Sequence, residues 1–177
     1  MKIKSTKIEG VKLIYPKIIK DKRGYFIEIY NLKKLKQFFR GNFVHENQTL
    51  SIKKNTFRGL HFQKNKFAQD KLLSVIKGEI IDYIFDLRSK SKTYKKLLKL
   101  KITERSPFKL FIPKGCAHGF MTLKKNTIVN YKVSNFYNKA KNSGINYKAI
   151  NLNLNKKFII SNNDKKLNLF NKSRKYF

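Results

Sequence analysis

Alternation of apolar and polar residues predicts a chain built mainly of short β-strands. Beyond residue 42, such patterns recur near 43–53, 56–62, 71–77, 79–87, 95–103, 108–112, 119–123 and 127–134. These runs are rich in β-branched and aromatic residues, and turn-forming residues separate them. Lys77-Gly78, between two of the runs, is typical of a tight hairpin. Many short, regularly spaced strands indicate an all-β sandwich or barrel.

The N-terminal part of the chain adds two strands and the one clear helix. Residues 11–20 form a strand pattern interrupted by a proline, and residues 25–30 form another after a turn. Leucines and phenylalanines then recur at helical spacing over 32–39. Asn31 can cap this helix and Gly41 can end it. We therefore expect one or a few short helices beside the strands.

Size and composition predict a single folded domain over residues 1–177. Apolar residues make up 41% of the chain and aromatic residues 14%, which is enough to form a core. No run approaches the roughly 18 apolar residues of a membrane helix, and the charged N-terminus lacks a signal core. The one cysteine, Cys116, cannot form an internal disulfide. These features predict a cytoplasmic protein with no membrane partner.

The formal charge of +32 comes from 42 basic and only 10 acidic residues. Such an excess is typical of proteins that bind nucleic acids or other anions. Here the lysines are scattered along the chain, and no nucleic-acid-binding motif accompanies them. A general compositional bias explains this distribution better, so we predict no nucleic-acid partner.

Two histidines near strand ends are the strongest candidates for chemistry. His61 lies in Thr56-Phe-Arg-Gly-Leu-His-Phe-Gln63, close to Arg58 and Lys71, and His118 follows a Pro-x-Gly turn. Histidine can accept or give a proton near neutral pH, and a neighbouring cation favours the neutral form that a base needs. The same cations could bind a phosphate or stabilise an enolate. The set indicates proton transfer on an anionic ligand.

Other chemistries remain open from these residues alone. A metal-binding barrel would use a histidine pair, a glutamate and a distant histidine; the chain offers His61, Glu79 and His118, but Gln63 stands where the second histidine belongs. Cys116 is two residues from His118, yet a buried cysteine is usually a packing residue. Asp164 is either a turn residue or the orienting partner of a histidine.

At this point the chain resembles the dTDP-4-dehydrorhamnose 3,5-epimerases over roughly residues 8–165. The segments that carry the resemblance are Asp21-Lys-Arg-Gly-Tyr-Phe-Ile-Glu28, His45-Glu-Asn47, Arg58-Gly-Leu-His-Phe-Gln63, Ala68-Gln-Asp-Lys71, Gly78-Glu79, Asp86-Leu-Arg88, Ser91-Lys-Thr-Tyr94, Ile112-Pro-Lys-Gly-Cys-Ala-His-Gly-Phe120, Tyr131-Lys132 with Tyr137, and Ser161-Asn-Asn-Asp164. Their order along the chain is that of the family, which makes the resemblance specific.

The resemblance implies a cupin-type jelly roll that works as a homodimer without metal or cofactor. Its substrate would be dTDP-4-dehydro-6-deoxy-D-glucose, epimerised at C3 and C5 to dTDP-4-dehydro-L-rhamnose. His61 would be the base, Asp164 its orienting partner, Tyr131 the acid and Lys71 the residue that stabilises the enolate. Arg58 and His118 would bind the diphosphate, and Arg23 and Glu28 would line the ligand site from the partner subunit. The full set of substrate contacts would be Arg23, Glu28, His45, Glu46, Asn47, Arg58, Lys71, His118 and Tyr137.

Two departures from the family pattern bear on the substrate. His45 stands where the family usually has Gln, and Asp70 replaces the Gly before Lys71, where it could compete for that lysine. Three alternatives therefore stay open. They are a relative acting on C3 alone or on another nucleotide sugar, a metal-dependent cupin, and a basic binding protein without catalysis.

Overall fold

A computed structural model describes residues 1–150, 157–171, 173 and 175–177. Within these residues the chain forms fourteen strands and two short α-helices. The strands are β1 Lys2–Ser5, β2 Lys12–Tyr15, β3 Ile18–Asp21, β4 Gly24–Ile27, β5 His45–Ser51, β6 Thr56–Gln63, β7 Lys71–Lys77, β8 Glu79–Asp86, β9 Leu97–Thr103, β10 Lys109–Ile112, β11 Cys116–Thr122, β12 Thr127–Val133, β13 Asn142–Gly144 and β14 Ile159–Ile160. The helices are α1 Leu32–Leu35 and α2 Asn162–Lys165, and short 3-10 turns cover Asn65–Phe67, Lys139–Lys141 and Tyr147–Ile150.

Most strands belong to two sheets. The first sheet has the order β1-β2-β10-β7-β12-β5. The second sheet has the order β13-β6-β11-β8-β9, with β14 parallel to β6. Strands β3 and β4 form a separate hairpin. The all-β prediction is confirmed, and the two sheets correspond to the jelly roll that the resemblance implies.

The main core combines side chains of both sheets. Leu73 and Val75 of the first sheet belong to one buried cluster with Ile80 and Ile84 of the second. Because side chains alternate along a strand, Lys71 lies on the same face of β7 as Leu73 and Val75. A lysine at such a position faces the space between the sheets, where the candidate site forms.

Two further clusters cover the outer faces. On the first sheet, Leu35 and Phe39 pack with Leu72 and Phe111. On the second sheet, Phe62 and Phe85 pack with aromatic residues near the C-terminus, which include Phe170, Tyr176 and Phe177. The C-terminal part of the chain, which also contains Asp164, therefore covers the outer face of the second sheet.

The helix prediction over 32–39 is wrong in length. The α-helix ends at Leu35, although Phe38 and Phe39 still donate backbone hydrogen bonds to the carbonyl of Leu35. Asn31 caps the helix as predicted, since its side chain accepts from the Lys34 amide at 3.0 Å. Along the described residues, no helix is both long and apolar enough to span a bilayer.

The predicted hairpin at Lys77-Gly78 is also wrong. Strands β7 and β8 on either side of it pair with different partners, β7 with β10 and β12 and β8 with β9 and β11. The turn therefore moves the chain from the first sheet to the second. Gly78 has φ +87°, and a Cβ there would lie 2.5 Å from Thr127 Oγ1, so this crossing requires glycine.

Candidate active site

A cavity of about 580 Å³ opens between the sheets and contains six of the predicted functional residues. His61 and Arg58 come from β6, His118 from β11, Lys71 from β7, Tyr131 from β12 and Asp164 from α2. In the second sheet His61 and His118 are direct partners, and in the first Tyr131 is opposite Leu73. The two histidines and Tyr131 therefore come from opposite sheets and face one ligand volume.

His61 and Asp164 form a hydrogen-bonded dyad. The distance from His61 Nε2 to Asp164 Oδ1 is 2.7 Å, and the backbone amide of Gly59 donates to Asp164 Oδ2 at 3.2 Å. Burial would raise the pKa of Asp164, but the hydrogen bonds from His61 and Gly59 outweigh burial and lower it. An ionised carboxylate only accepts, so Nε2 of His61 carries the hydrogen, and in the neutral imidazole the lone pair is on Nδ1. Nδ1 is therefore the basic atom.

The C-terminal part of the chain places this carboxylate. β14 pairs in parallel with the start of β6, and α2 follows immediately. The Ser161 side chain caps α2 by accepting from the Asp164 amide at 3.1 Å. Asp164 is buried, whereas His61 is half-buried and reaches into the cavity. This position beside His61 is the one that an orienting partner would need.

Lys71 is a half-buried lysine on the opposite sheet. Burial lowers the pKa of its ammonium group from the ordinary value to about 8, although the nearby charge of Asp82 raises it. Asp70 does not compete for this lysine, because its carboxylate accepts from Ser134 Oγ and from the Lys114 amide, both at 2.9 Å. The expected interference from Asp70 is therefore absent.

Tyr131 lines the cavity from β12. Burial raises the pKa of its phenol above the ordinary value, while the charge of Arg58 opposes this shift. The phenol is therefore protonated at neutral pH and can donate a proton. Arg58 itself donates from Nε to Ser51 Oγ at 3.1 Å and from one terminal nitrogen to the Leu50 carbonyl at 3.0 Å. These bonds fix the guanidinium at the wall of the cavity.

His118 is more deeply buried than His61 and has a different partner. Its Nε2 lies 2.7 Å from Asp82 Oδ2 in the buried centre of the second sheet. Burial lowers the pKa of His118, despite the opposing effect of Asp82. A neutral imidazole whose one N–H is used by Asp82 does not suit the diphosphate contact that the resemblance assigns to His118.

A smaller cavity of about 300 Å³ adjoins the first and shares His61, Lys71 and Tyr131 with it. Its other lining residues include three from the predicted substrate set, namely His45, Asn47 and Tyr137. His45 packs near Phe136 with 6.2 Å between the ring centres. These polar and aromatic groups extend the site away from the dyad.

Three predicted contacts are not brought to the site within this chain. Glu46 lies on the outer side of β5, where it binds Lys132 at 2.5 Å. Arg23 pairs with Asp21 at the exposed tip of the β3–β4 hairpin. Glu28 pairs with Lys34 beside that hairpin. Alternation along β5 explains the first case, because His45 and Asn47 point inward and the residue between them points outward.

The other two residues considered for a metal-dependent cupin, Gln63 and Glu79, have partners of their own. Gln63 accepts from the Asn138 amide and donates to Asn142, and Glu79 pairs with Lys101. Nowhere in the described part of the chain do three or more His, Cys, Asp or Glu side chains form a group that could hold a metal ion. Cys116 is buried in the main core, where burial raises the pKa of its thiol to about 12, as expected of a packing residue.

The sequence interpretation missed Asp82 as a site residue. Asp82 and Asp86 both lie in the predicted strand 79–87, at positions that share a face because side chains alternate along a strand. In the structure they diverge, because Asp82 binds His118 while Asp86 binds Arg88, Ser91 and Thr93. The sequence feature that indicates a buried partner for Asp82 is its position between Ile80 and Ile84, in an apolar stretch of the strand.

Comparison with known proteins finds relatives that match most of the chain. The family model described as dTDP-4-dehydrorhamnose 3,5-epimerase matches residues 5–172. A Sinorhizobium fredii protein of that name is 38% identical over 160 residues, covering 88% of this chain and 80% of that protein. A Bacillus anthracis epimerase structure with TDP and PPi bound has a TM-score of 0.89 at 39% identity, covering 96% of this chain and 99% of that one.

A Legionella pneumophila epimerase in complex with dTDP-4-keto-L-rhamnose has a TM-score of 0.87 at 32% identity, with 95% and 92% of the two chains covered. The matched family model spans almost the whole chain, including every residue of the cavity. The protein is therefore an isomerase-class enzyme, and the chain belongs to the dTDP-4-dehydrorhamnose 3,5-epimerase family.

Proposed function

We propose that this enzyme converts dTDP-4-dehydro-6-deoxy-D-glucose into dTDP-4-dehydro-L-rhamnose by epimerisation at C3 and C5. The observation that supports this most is the placement of the His61–Asp164 dyad and Tyr131 on opposite sheets, with Lys71 between the same walls. Inversion at carbon needs a base and an acid on opposite faces of the substrate. The cavity supplies both, together with a cation for the intermediate.

Each inversion begins when Nδ1 of His61 removes the proton from the carbon beside the C4 ketone. The electron pair of the broken C–H bond forms a C=C bond, and the ketone oxygen becomes an enolate. The Lys71 ammonium stabilises that oxygen, an interaction worth about 3–4 kcal/mol for one well-placed donor. The Tyr131 phenol then protonates the carbon from the other face, and solvent restores both residues.

One base can serve both carbons of this substrate. In the gluco chair the hydrogens on C3 and C5 are axial and point to the same face of the ring. His61 on one side and Tyr131 on the other can therefore act twice without exchanging roles. The adjoining cavity with Asn47 and Tyr137 offers space for the nucleotide side of the substrate, and Arg58 offers a cation for its diphosphate.

The test is proton NMR in D₂O with dTDP-4-dehydro-6-deoxy-D-glucose and no added metal. Deuterium should enter at both C3 and C5, and the L-rhamno product should appear. Exchange at C3 alone would identify a C3-only epimerase, the second candidate left open by the sequence. Absence of exchange at both carbons would contradict the proposed substrate and reaction.

The activity should fall as the pH rises through about 8. Lys71 has a pKa of about 8 in the folded protein, so the ammonium is complete below this value and is lost above it. The measurement is kcat/KM for epimerisation between pH 6 and 10. A matched Lys71→Arg variant, which keeps its charge throughout this range, should be slower but should lack the decline near pH 8. A decline that persists in this variant would contradict the assignment to Lys71.

We also propose that the protein works as a homodimer in which the β3–β4 hairpin reaches the partner's site. This hairpin exposes large apolar side chains, with Tyr25 at 70% and Phe26 at 68% exposure, beside Arg23. Exposed apolar patches of this kind favour association. A second subunit would bury them and could bring Arg23 and Glu28 to the ligand, which one chain alone does not do.

Phe26→Asp should therefore convert the dimer to monomer in sedimentation velocity and raise KM. A Lys20→Asp variant on the same hairpin, where the side chain is exposed and polar, is the matched control and should stay dimeric. A wild-type protein that sediments as a monomer at micromolar concentration would contradict this assembly.

A further inference from the structure

Asp82 is a buried carboxylate that the reaction described above does not use. Its side chain is fully buried in β8, between the apolar residues Ile80 and Ile84. One oxygen, Oδ2, accepts from His118 Nε2 at 2.7 Å. The other, Oδ1, has no hydrogen-bond partner among the described residues. An ionised group in this position is costly unless a nearby positive charge compensates it.

The cation that faces Asp82 across the core is Lys71. Lys71 is on the same face of β7 as Leu73 and Val75, Asp82 is on the same face of β8 as Ile80 and Ile84, and these four apolar residues share one buried cluster. In keeping with this placement, Asp82 raises the pKa of the Lys71 ammonium, against the larger effect of burial. Both Lys71 and His118, the partner of Asp82, line the same cavity. The titratable and charged groups that line this cavity are Lys71 from β7, Tyr131 from β12, Arg58 and His61 from β6, His118 from β11 and Asp164 from α2. The buried Asp82 of β8 and Cys116 of β11 do not line it but act on the charge of Lys71.

Of these two carboxylates, Asp82 and Asp164, only Asp82 is available to the lysine. Asp164 is held by His61 and the Gly59 amide. Asp70, the neighbour of Lys71 in sequence, is turned to Ser134 and Lys114. Without Asp82, the ammonium would share the cavity with Arg58, His61 and His118, and the remaining carboxylate there, Asp164, is already paired with His61.

We propose that Asp82 is a positioning residue that keeps Lys71 in its ammonium form and holds His118 as a hydrogen-bond acceptor. His118 gives its Nε2–H to Asp82, so its Nδ1, which bonds to no described residue, presents a lone pair to the ligand. Such an atom accepts from a sugar hydroxyl or from Lys71. The catalytic consequence of this inference rests on the proposed function, since it assumes that the ammonium stabilises the enolate.

The test measures Lys71 directly, without substrate. Trace acetic anhydride acetylates the neutral amine of Lys71, and peptide mass spectrometry measures the extent of acetylation at each pH. The midpoint of this curve is the pH at which half of the Lys71 amine is deprotonated. The wild-type midpoint should be about 8. In Asp82→Asn it should fall by about one pH unit or more, the shift that loss of a close opposite charge produces. The fraction of neutral Lys71 amine at pH 7 should then be about five times larger.

Glu79→Gln is the matched control, because it also removes a β8 carboxylate that is paired with a lysine, Lys101. Its Lys71 midpoint should equal that of the wild type. An unchanged midpoint in Asp82→Asn overturns the proposal. If Asp82→Asn does not fold, Asp82→Ser removes the same charge with a smaller side chain and is judged by the same criterion.

A measurement on the wild type tests the His118 part. The chain has only three histidines, so ¹⁵N-histidine NMR resolves their ring nitrogens. The His118 signals are the ones lost in His118→Gln. In the wild type they should show a neutral ring with hydrogen on Nε2 from pH 5 to 8. A charged His118 or hydrogen on Nδ1 overturns this part.

Activity separates this inference from the proposed function. If the wild type epimerises, the alkaline decline in kcat/KM should move to lower pH in Asp82→Asn by the same amount as the acetylation midpoint. If the wild type does not epimerise but the midpoint still moves, the coupling of Asp82 to Lys71 stands and the proposed reaction fails. If the wild type epimerises and the midpoint does not move, the coupling fails alone.

Discussion

Replacing His61 with alanine is expected to lower kcat for epimerisation by about three to four orders of magnitude. General bases contribute roughly 10² to 10⁴ to rates of this kind. The variant also leaves Asp164 without its histidine partner, although the Gly59 amide still donates to it. Solvent exchange at C3 and C5 in D₂O, followed by proton NMR, should decline in parallel with product formation, because both begin with the same proton abstraction.

Two companion variants make this result specific. His61→Asn offers Asp164 an amide donor and should unfold near the wild-type temperature, yet it should be as inactive as the alanine variant. His45→Ala removes a histidine of the adjoining cavity, which does not contact Asp164, and should change KM rather than kcat. If His61→Ala retained more than about a tenth of the wild-type kcat, the base would have to be a different group.

Strand patterns in the sequence were sufficient to predict most of the two sheets. The predicted strand at 71–77 matches β7, and the predicted strand at 79–87 differs from β8 by one residue. These runs combine β-branched residues with alternation, so local preference and burial agree. β13 and β14 were not predicted, since Asn142–Gly144 and Ile159–Ile160 are short and depend on pairing with β6 for their conformation.

The connection between β7 and β8 shows what a local pattern leaves open. Gly78 does mark a sharp turn, but turn chemistry does not specify whether the next strand pairs with the preceding one. Leu73 and Val75 share one buried cluster with Ile80 and Ile84, which requires the two strands to contribute to a core from opposite sheets. Only the packing of the whole chain supplies that information.

The same limit applies to the site. The His61 and His118 motifs were visible as separate segments, and the family resemblance supplied their order and the role of Asp164. Pairing of His118 with Asp82 follows from the register of β8 against β11, in which Phe120 is opposite Asp82. No spacing in the sequence gives that register. The distinction between an accessible His61 and a buried His118 is therefore a result of the fold.

Tyr131→Phe should separate proton removal from inversion, which is the second large expected effect. The variant retains His61, Asp164 and Lys71, so the proton beside the ketone can still leave and return on the same face. In D₂O the substrate should therefore gain deuterium with retained configuration. Formation of the L-rhamno product should fall by about 10² to 10³, because the opposite face has lost its donor.

The informative quantity is the ratio of exchange to inversion, read from one NMR time course. In the wild type each exchanged carbon should also invert, whereas in Tyr131→Phe exchange should exceed inversion at least tenfold. Tyr137→Phe is the matched variant, since Tyr137 lines only the adjoining cavity and is largely exposed. It should alter KM and keep the wild-type ratio. Loss of exchange and inversion together in Tyr131→Phe would mean that this phenol acts before the enolate forms, as an oxyanion donor beside Lys71, and that the acid on the second face is another group.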